Sequence, residues 1–387
     1  MMQTLAIFLD AYRELNAKRL FWITLILSGL VVGAFALVGI NENGLRIIVW
    51  DLDLPGLNSH VIKPDTFYKL MFTNLGIGIW LAWIATILAL VSTAGIIPDF
   101  VSAGAIDLML CKPIGRLRLF LTKYLTGLLF VALQVAVFCT ASFFVLGLKG
   151  QTWEPAIFLA VPIITIFYSY LYCICALLGL VTRSTIAALL LTMLAWFFMF
   201  AVGTTENFML MGQKAIEQEV KDLDRNIQRR ELAIERVRQR GTEIDFATAS
   251  APLQQLLDKD RAEREDSLRA KANLDFAHRI AMGVKTALPK TSETIGLLER
   301  WMVDLAELPA VPEDALDRNM EVEAEVNAAT RPGGRPPRRS NEHMEQVQRT
   351  TEEALRSRSV WWVVGTSLIF EAFVLAIAAW IFCRRDF

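Results

Sequence analysis

Reactive chemistry is what this sequence has least of. It contains no Gly-x-x-x-x-Gly-Lys-Ser/Thr loop, no His-Glu-x-x-His, no Cys-x-x-Cys and no Gly-x-Ser-x-Gly. Those absences remove the phosphate-cradling loop, the helical zinc pair, the redox dithiol and the serine elbow. The three histidines, His60, His278 and His343, lie far apart in unremarkable surroundings. No catalytic residue and no metal ligand is therefore assigned. Basic patches interleaved with aromatics are also missing, which argues against a nucleic-acid partner. The five cysteines form no disulfide framework: Cys139, Cys173, Cys175 and Cys383 fall in or at apolar runs, Cys111 in a basic loop, and residues 206–358 have none. No small-residue cleavage site follows the first apolar run, so no cleavable signal is expected.

What the sequence does have is oil, unevenly distributed. Hydrophobic residues make up 54% of the 387. Residues 206–358 hold 25 of the 39 Lys and Arg and 29 of the 40 Asp and Glu. The chain therefore reads as a membrane part interrupted by a water-loving insertion. A bilayer core takes roughly 20 apolar residues per helix. Six runs meet that need: 20–40, 75–97, 125–148, 156–181, 186–202 and 360–383. The fifth is the shortest, and Phe208, Met209 and Leu210 extend it. The predicted class is all-α membrane protein, with six transmembrane helices and a long coiled-coil-like helical insertion between helices five and six. Only Thr182, Arg183, Ser184 and Thr185 join runs four and five, which predicts a tight hairpin.

Positive residues in short loops set orientation. Arg13, Lys18 and Arg19 precede run one; Lys112, Arg116, Arg118 and Lys123 separate two from three; Arg183 separates four from five; Arg384 and Arg385 follow six. With six crossings all share one side, the cytoplasm, and both termini lie there. The insertion then lies outside; were run five not to cross, it would lie inside. Residues 1–19 predict an interfacial helix, with Leu5, Phe8, Leu9, Tyr12 and Leu15 on one stripe.

Within 206–358, Ile216, Val220, Leu223, Ile227, Arg230, Ile234 and Val237 step by four and three. Gly241 ends that run, a second helix is expected over 253–285, and the two predict an antiparallel hairpin. It reads either as a solvated spacer or as a docking arm. Thr291 or Ser292 then caps an amphipathic helix carrying Ile295, Leu298, Trp301, Met302 and Leu305. Residues 327–341, rich in Pro, Gly and Arg, predict a flexible linker before the last helix and tail at 359–387.

Two polar residues stand out inside the runs. Glu371 sits in the middle of run six, where a carboxyl is costly and faces the bundle interior, water or a partner. Functional and packing roles both fit it. Gln134 in run three suits a helix–helix hydrogen bond.

The segment 98–124 between runs two and three has the most distinctive pattern. A short apolar helix is broken at Lys112 and Pro113, because proline lacks the donor and disfavours helix before it. Leu117, Phe120, Leu121 and Tyr124 then recur at helical spacing. The string IPDFVSAGAIDLMLCKPIGRLRLFLTKYL resembles the stretch after the second span of ABC transporter permeases of the second exporter type. Asp99, Gly104, Asp107, Lys112, Pro113, Ile114, Arg116 and Lys123 match the pattern; Cys111 and Gly115 stand where serine is common. The opening DAYRELNAKRLFW and the ending FCRRDF are similar to that family too. The insertion is much longer than the family's outer segment.

The resemblance implies a permease subunit of the bacterial cytoplasmic membrane that pairs with a second permease subunit, identical or not, and with a separate ATPase. The chain would hold no cofactor itself, with ATP and Mg on the partner. Asp99, Gly104, Asp107, Lys112, Pro113, Arg116 and Lys123 would be the ATPase-coupling contact. The alternative is a non-transporting polytopic scaffold whose coiled-coil arm recruits partners.

Overall fold

The computed structural model describes residues 19–41, 44–47, 50–53, 64–101, 115–151, 153–240, 243–302 and 338–384. The chain forms two compact units. The first joins residues 1–200, 287–321 and 360–387; the second joins 201–286 and 322–359.

In the first unit, α1 (Arg19–Leu37) is followed by three short strands, β1 (Val38–Asn41), β2 (Gly44–Ile47) and β3 (Trp50–Asp53). They form an antiparallel meander in the order β1-β2-β3, with Val38 opposite Ile47 and Gly44 opposite Asp53. The sequence reading did not include this sheet. Next, α2 (Pro64–Met71), a π-helical stretch Phe72–Ala85 and α3 (Thr86–Thr93) follow one another without a gap. In the wide stretch buried positions step by four: Phe72, Gly76, Trp80. That spacing aims Trp80 at α1, where its indole donates to Ser28 Oγ at 3.2 Å. After α4 (Ile96–Val101) come α5 (Arg116–Lys149), a 3₁₀ turn Pro155–Leu159 and α6 (Ala160–Thr182).

The hairpin expected at 182–185 is present. Helix α7 (Thr185–Arg240) starts three residues after α6 ends. Arg183 takes the left-handed conformation (φ 53°) that closes α6, and its N–H donates to Gly179 O at 3.0 Å. Close packing has one sharp requirement. A Cβ on Gly127 would sit 2.6–2.7 Å from the Tyr172 ring, so only glycine lets α6 approach α5 there.

Among the described residues, five helices are long and apolar enough to cross a membrane: Thr66–Val101, Arg116–Lys149, Pro155–Thr182, Thr185–Gln239 and Trp361–Arg384. A shorter apolar stretch covers Phe21–Leu37. The chain is thus a mainly α-helical, multi-pass membrane protein. Helix α9 (Thr291–Met302) belongs to the first unit: Leu298 is fully buried in its apolar core and Ile295 packs against it. The last helix, α11 (Thr366–Arg384), follows a second π-helical stretch, Trp361–Gly365.

The second unit contains the rest of α7, then α8 (Glu243–Ala287) and α10 (Arg338–Arg356). Its helices α7 and α8 pair antiparallel, because partners descend on one as they ascend on the other. Gln213 bonds Asp275 at 2.7 Å, Asp224 pairs with Arg264 at 2.6 Å, and Glu231 with Arg261 at 2.8 Å. Arg230, the one polar residue in the apolar repeat, pairs with Asp260 at 2.8 Å. Helix α8 begins earlier than the expected 253 and contains Pro252, which removes one helical hydrogen bond.

Candidate functional site

Gly104, Asp107, Lys112 and Pro113 lie outside the described residues, as do residues 1–18 and the linker 327–341. The flanks of that segment are described, and they converge on the end of the last helix. From α4, Phe100 lies 5.9 Å from the Phe382 ring; from α5, Phe120 lies 5.6 Å from the same ring. Arg116 donates to the Cys383 carbonyl at 3.3 Å, a cation meeting the carbonyl end of α11. Lys123 is buried, with its ammonium 5.9 Å from the Phe100 ring centre. Asp99 is exposed on α4; its carboxylate folds back over Gly95, where a Cβ would come within 2.7 Å of Oδ2. Arg116 and Lys123 thus share one seat built from three helices, while Asp99 turns back toward the start of its own helix.

Helix α11 links that seat to the intramembrane carboxyl. Glu371 is buried, and both its oxygens accept from hydroxyls: Oε1 from Tyr124 at 2.8 Å and Oε2 from Ser169 Oγ at 2.7 Å. Tyr124 follows Lys123 directly, so consecutive α5 residues reach Phe100 and α11. Each hydroxyl has a second acceptor. Tyr124 O–H lies 3.2 Å from Ser169 O, and Ser169 Oγ lies 2.8 Å from Ile166 O. A hydroxyl has one proton to give. When Glu371 is ionised, both hydroxyls turn to it. When it is protonated, its own O–H donates to Ser169 Oγ, and Ser169 turns to Ile166 O. Either form leaves the carboxyl satisfied, which is the condition for an acid at this depth. A stack of rings backs the site, Tyr124 on Tyr172 at 5.1 Å and Tyr172 on Tyr168 at 5.7 Å.

Gln134 has the expected helix–helix partner. Its Nε2 reaches Phe21 O on α1 at 3.5 Å, the outer limit of a hydrogen bond. It lines a cavity of about 10 Å³ together with Thr24, Ser28 and Thr86.

A larger cavity of about 190 Å³ lies between Gly78, Ala82, Trp83, Phe167, Trp196 and Phe200, with Thr291, Ser292 and Ile295 of α9 at its rim. The indoles of Trp83 and Trp196 stack at 5.0 Å in its wall. None of its lining residues is charged, so it suits an apolar group with hydroxyls at one edge. Sequence reasoning did not reach this cavity or the partners of Glu371. Ser169 is 202 residues away and has no local pattern that marks it.

A second buried carboxylate was also not singled out. In the second unit Glu206 has no exposed side-chain surface, and Lys285, Arg358 and His278 surround it. Its place between the apolar stretches 186–202 and 208–211 was the available signal. Among the described residues no group of acidic, His and Cys side chains is arranged to hold a metal. No protein-family model, curated protein or solved structure matches this chain.

Proposed function

We propose that this chain is the transmembrane permease subunit of an ABC exporter, in which a separate ATPase drives substrate movement. The reading has six spans with both termini cytoplasmic in a bacterial cytoplasmic membrane. Two permease subunits, identical or different, meet two ATPases that bring ATP and Mg. The observation that carries it is the meeting of α4, α5 and α11: Phe100, Phe120 and Phe382 cluster, and Arg116 holds the end of α11. A partner pressing on α4 or α5 would press on α11 through these contacts. Glu371 and Tyr124 would pass that push from α5 to α11. Such a switch needs a partner that contacts its two states differently. The cavity walled by Trp83 and Trp196 favours an apolar or lipid-like cargo.

Co-purification tests the reading. A separate ATP-binding-cassette ATPase should accompany the chain, and Pro113→Ala with Arg116→Glu should reduce both its binding and export at least tenfold. Unchanged binding and export in that variant would contradict the assigned contact. The scaffold reading has one observation of its own: α8 extends over 45 residues, and its exposed positions between 258 and 269 are mostly charged. Removing residues 214–285 would then abolish partner recruitment while ATPase binding stayed absent throughout.

A further inference from the structure

The outward face of α8 changes character along one helix. Between residues 258 and 269, seven of nine exposed side chains are charged. Between 272 and 286, one of eight is charged, Arg279. Phe276, Ile280 and Val284 replace the charges at a spacing of four, 62%, 56% and 43% exposed. Four-residue spacing places them on one stripe.

The paired stretch of α7 shows the same change. The contact of Gly212 with Leu274 and the bond from Gln213 to Asp275 set residues 204–212 against this part of α8. There Phe208 is 70% exposed, and the only charge between 204 and 213 is Glu206. That charge is turned inward: its side chain has no exposed surface, and Lys285 and Arg358 neutralise it from α8 and the residues just after α10. His278 Nε2 completes the cluster at 3.0 Å. An exterior with one charge, Arg279, and with Glu206, Lys285 and Arg358 paired inside reverses the plan of a water-facing hairpin, and it approaches the plan that a low-dielectric surrounding requires.

What lies outside this band follows from α7. That helix is unbroken from Thr185 to Arg240. Its apolar run 186–202 rises about 26 Å, less than the roughly 30 Å core of a bilayer. Carried on to residue 212, the helix rises about 42 Å from its start, matching the roughly 40–45 Å between outer headgroup limits. The exposed band begins where the span leaves off.

We propose that the root of the hairpin, residues 204–212 of α7 with 276–286 of α8, is a lipid-contact surface that sits among the acyl chains and glycerol groups of the bilayer. Water then begins near Gln213 and Asp275, where the exposed charges resume. The buried Glu206 cluster is what lets a charged pair of helices enter that layer. The proposal holds for the transporter and the scaffold readings alike.

The test uses the full chain in vesicles of phosphatidylethanolamine and phosphatidylglycerol. A spin label carried on p-acetylphenylalanine is placed at 276, 280 or 284, and at 232 or 268 as references. Oxygen, which dissolves in lipid, should reach the first three at least fivefold better, relative to a water-soluble nickel chelate, than it reaches the references. Nickel access at 280 equal to that at 232 would place the stripe in water and overturn the proposal. Exclusion of both reagents would show a protein surface covering it, a second copy included, and would overturn it too. Unsubstituted protein gives an independent readout. A phospholipid with a diazirine in its acyl chain should label the peptide spanning 276–284 and leave 254–268 unlabelled; labelling of neither contradicts the proposal.

Discussion

Glu371 and Glu206 are both buried carboxyls, yet the two units hold them by opposite means. In the first unit Glu371 meets only hydroxyls, from Tyr124 and Ser169. In the second unit Glu206 meets two cations and an imidazole. Hydroxyls accept as well as donate, so the first arrangement serves a neutral or an ionised acid and leaves no unpaired charge when the acid changes. Lys285 and Arg358 only donate, so the second arrangement needs Glu206 ionised. The first site is therefore held by neutral hydrogen-bonding groups, and the second by a cluster of opposite charges.

Substitutions separate these two modes. Glu206→Ala should have the largest effect, about 3–5 kcal/mol, because it removes the buried carboxylate that Lys285, Arg358 and His278 share. Limited proteolysis in detergent would show the hairpin opening, while cleavage within the first unit stays unchanged. Gly127→Ala comes next, at about 1–3 kcal/mol, since the added Cβ must push the Tyr172 ring aside. Thermal unfolding in detergent measures it, and Tyr172→Ala in the same chain should recover part of the loss.

Glu371→Leu should cost only about 1 kcal/mol, because Tyr124 and Ser169 can turn to Ser169 O and Ile166 O. A loss as large as that of Glu206→Ala would break the distinction between the two sites. Arg264→Ala should be smallest, below about 1 kcal/mol, since its pair with Asp224 is 41–45% exposed. Raising the salt concentration should reduce that effect further and leave the Glu206 effect nearly intact.

The sequence made much of the helical frame legible. Five of the apolar runs, the short Arg183 connection and the helix beginning at Thr291 have counterparts, and the residues from Ile216 to Val237 lie on one helix. These signals are local and repeated over several turns. The meander at Val38–Asp53 was not legible, because strands of four residues carry too few alternations to stand out beside an apolar helix. The π-helical stretch Phe72–Ala85 was hidden for a related reason: an almost wholly apolar run has no face from which a changed period can be read. At the sites, residue type announced Glu371, but its partners lie on α5 and α6, and nothing in the run itself points to them. Lys123 read as one of the cations between runs two and three, and it lies buried beside Phe100, a contact that only the meeting of α4 and α5 creates.

The assigned ATPase contact is the claim on which the functional account turns. Benzoylphenylalanine placed at 104, 107 or 112, and separately at 232 on the hairpin, allows one cross-linking measurement in intact cells. The account predicts that the first three positions trap a protein with an ATP-binding-cassette phosphate loop, identified by mass spectrometry, and that 232 does not. Trapping of a partner from 232 alone, with no ATPase at 104, 107 or 112, would contradict it.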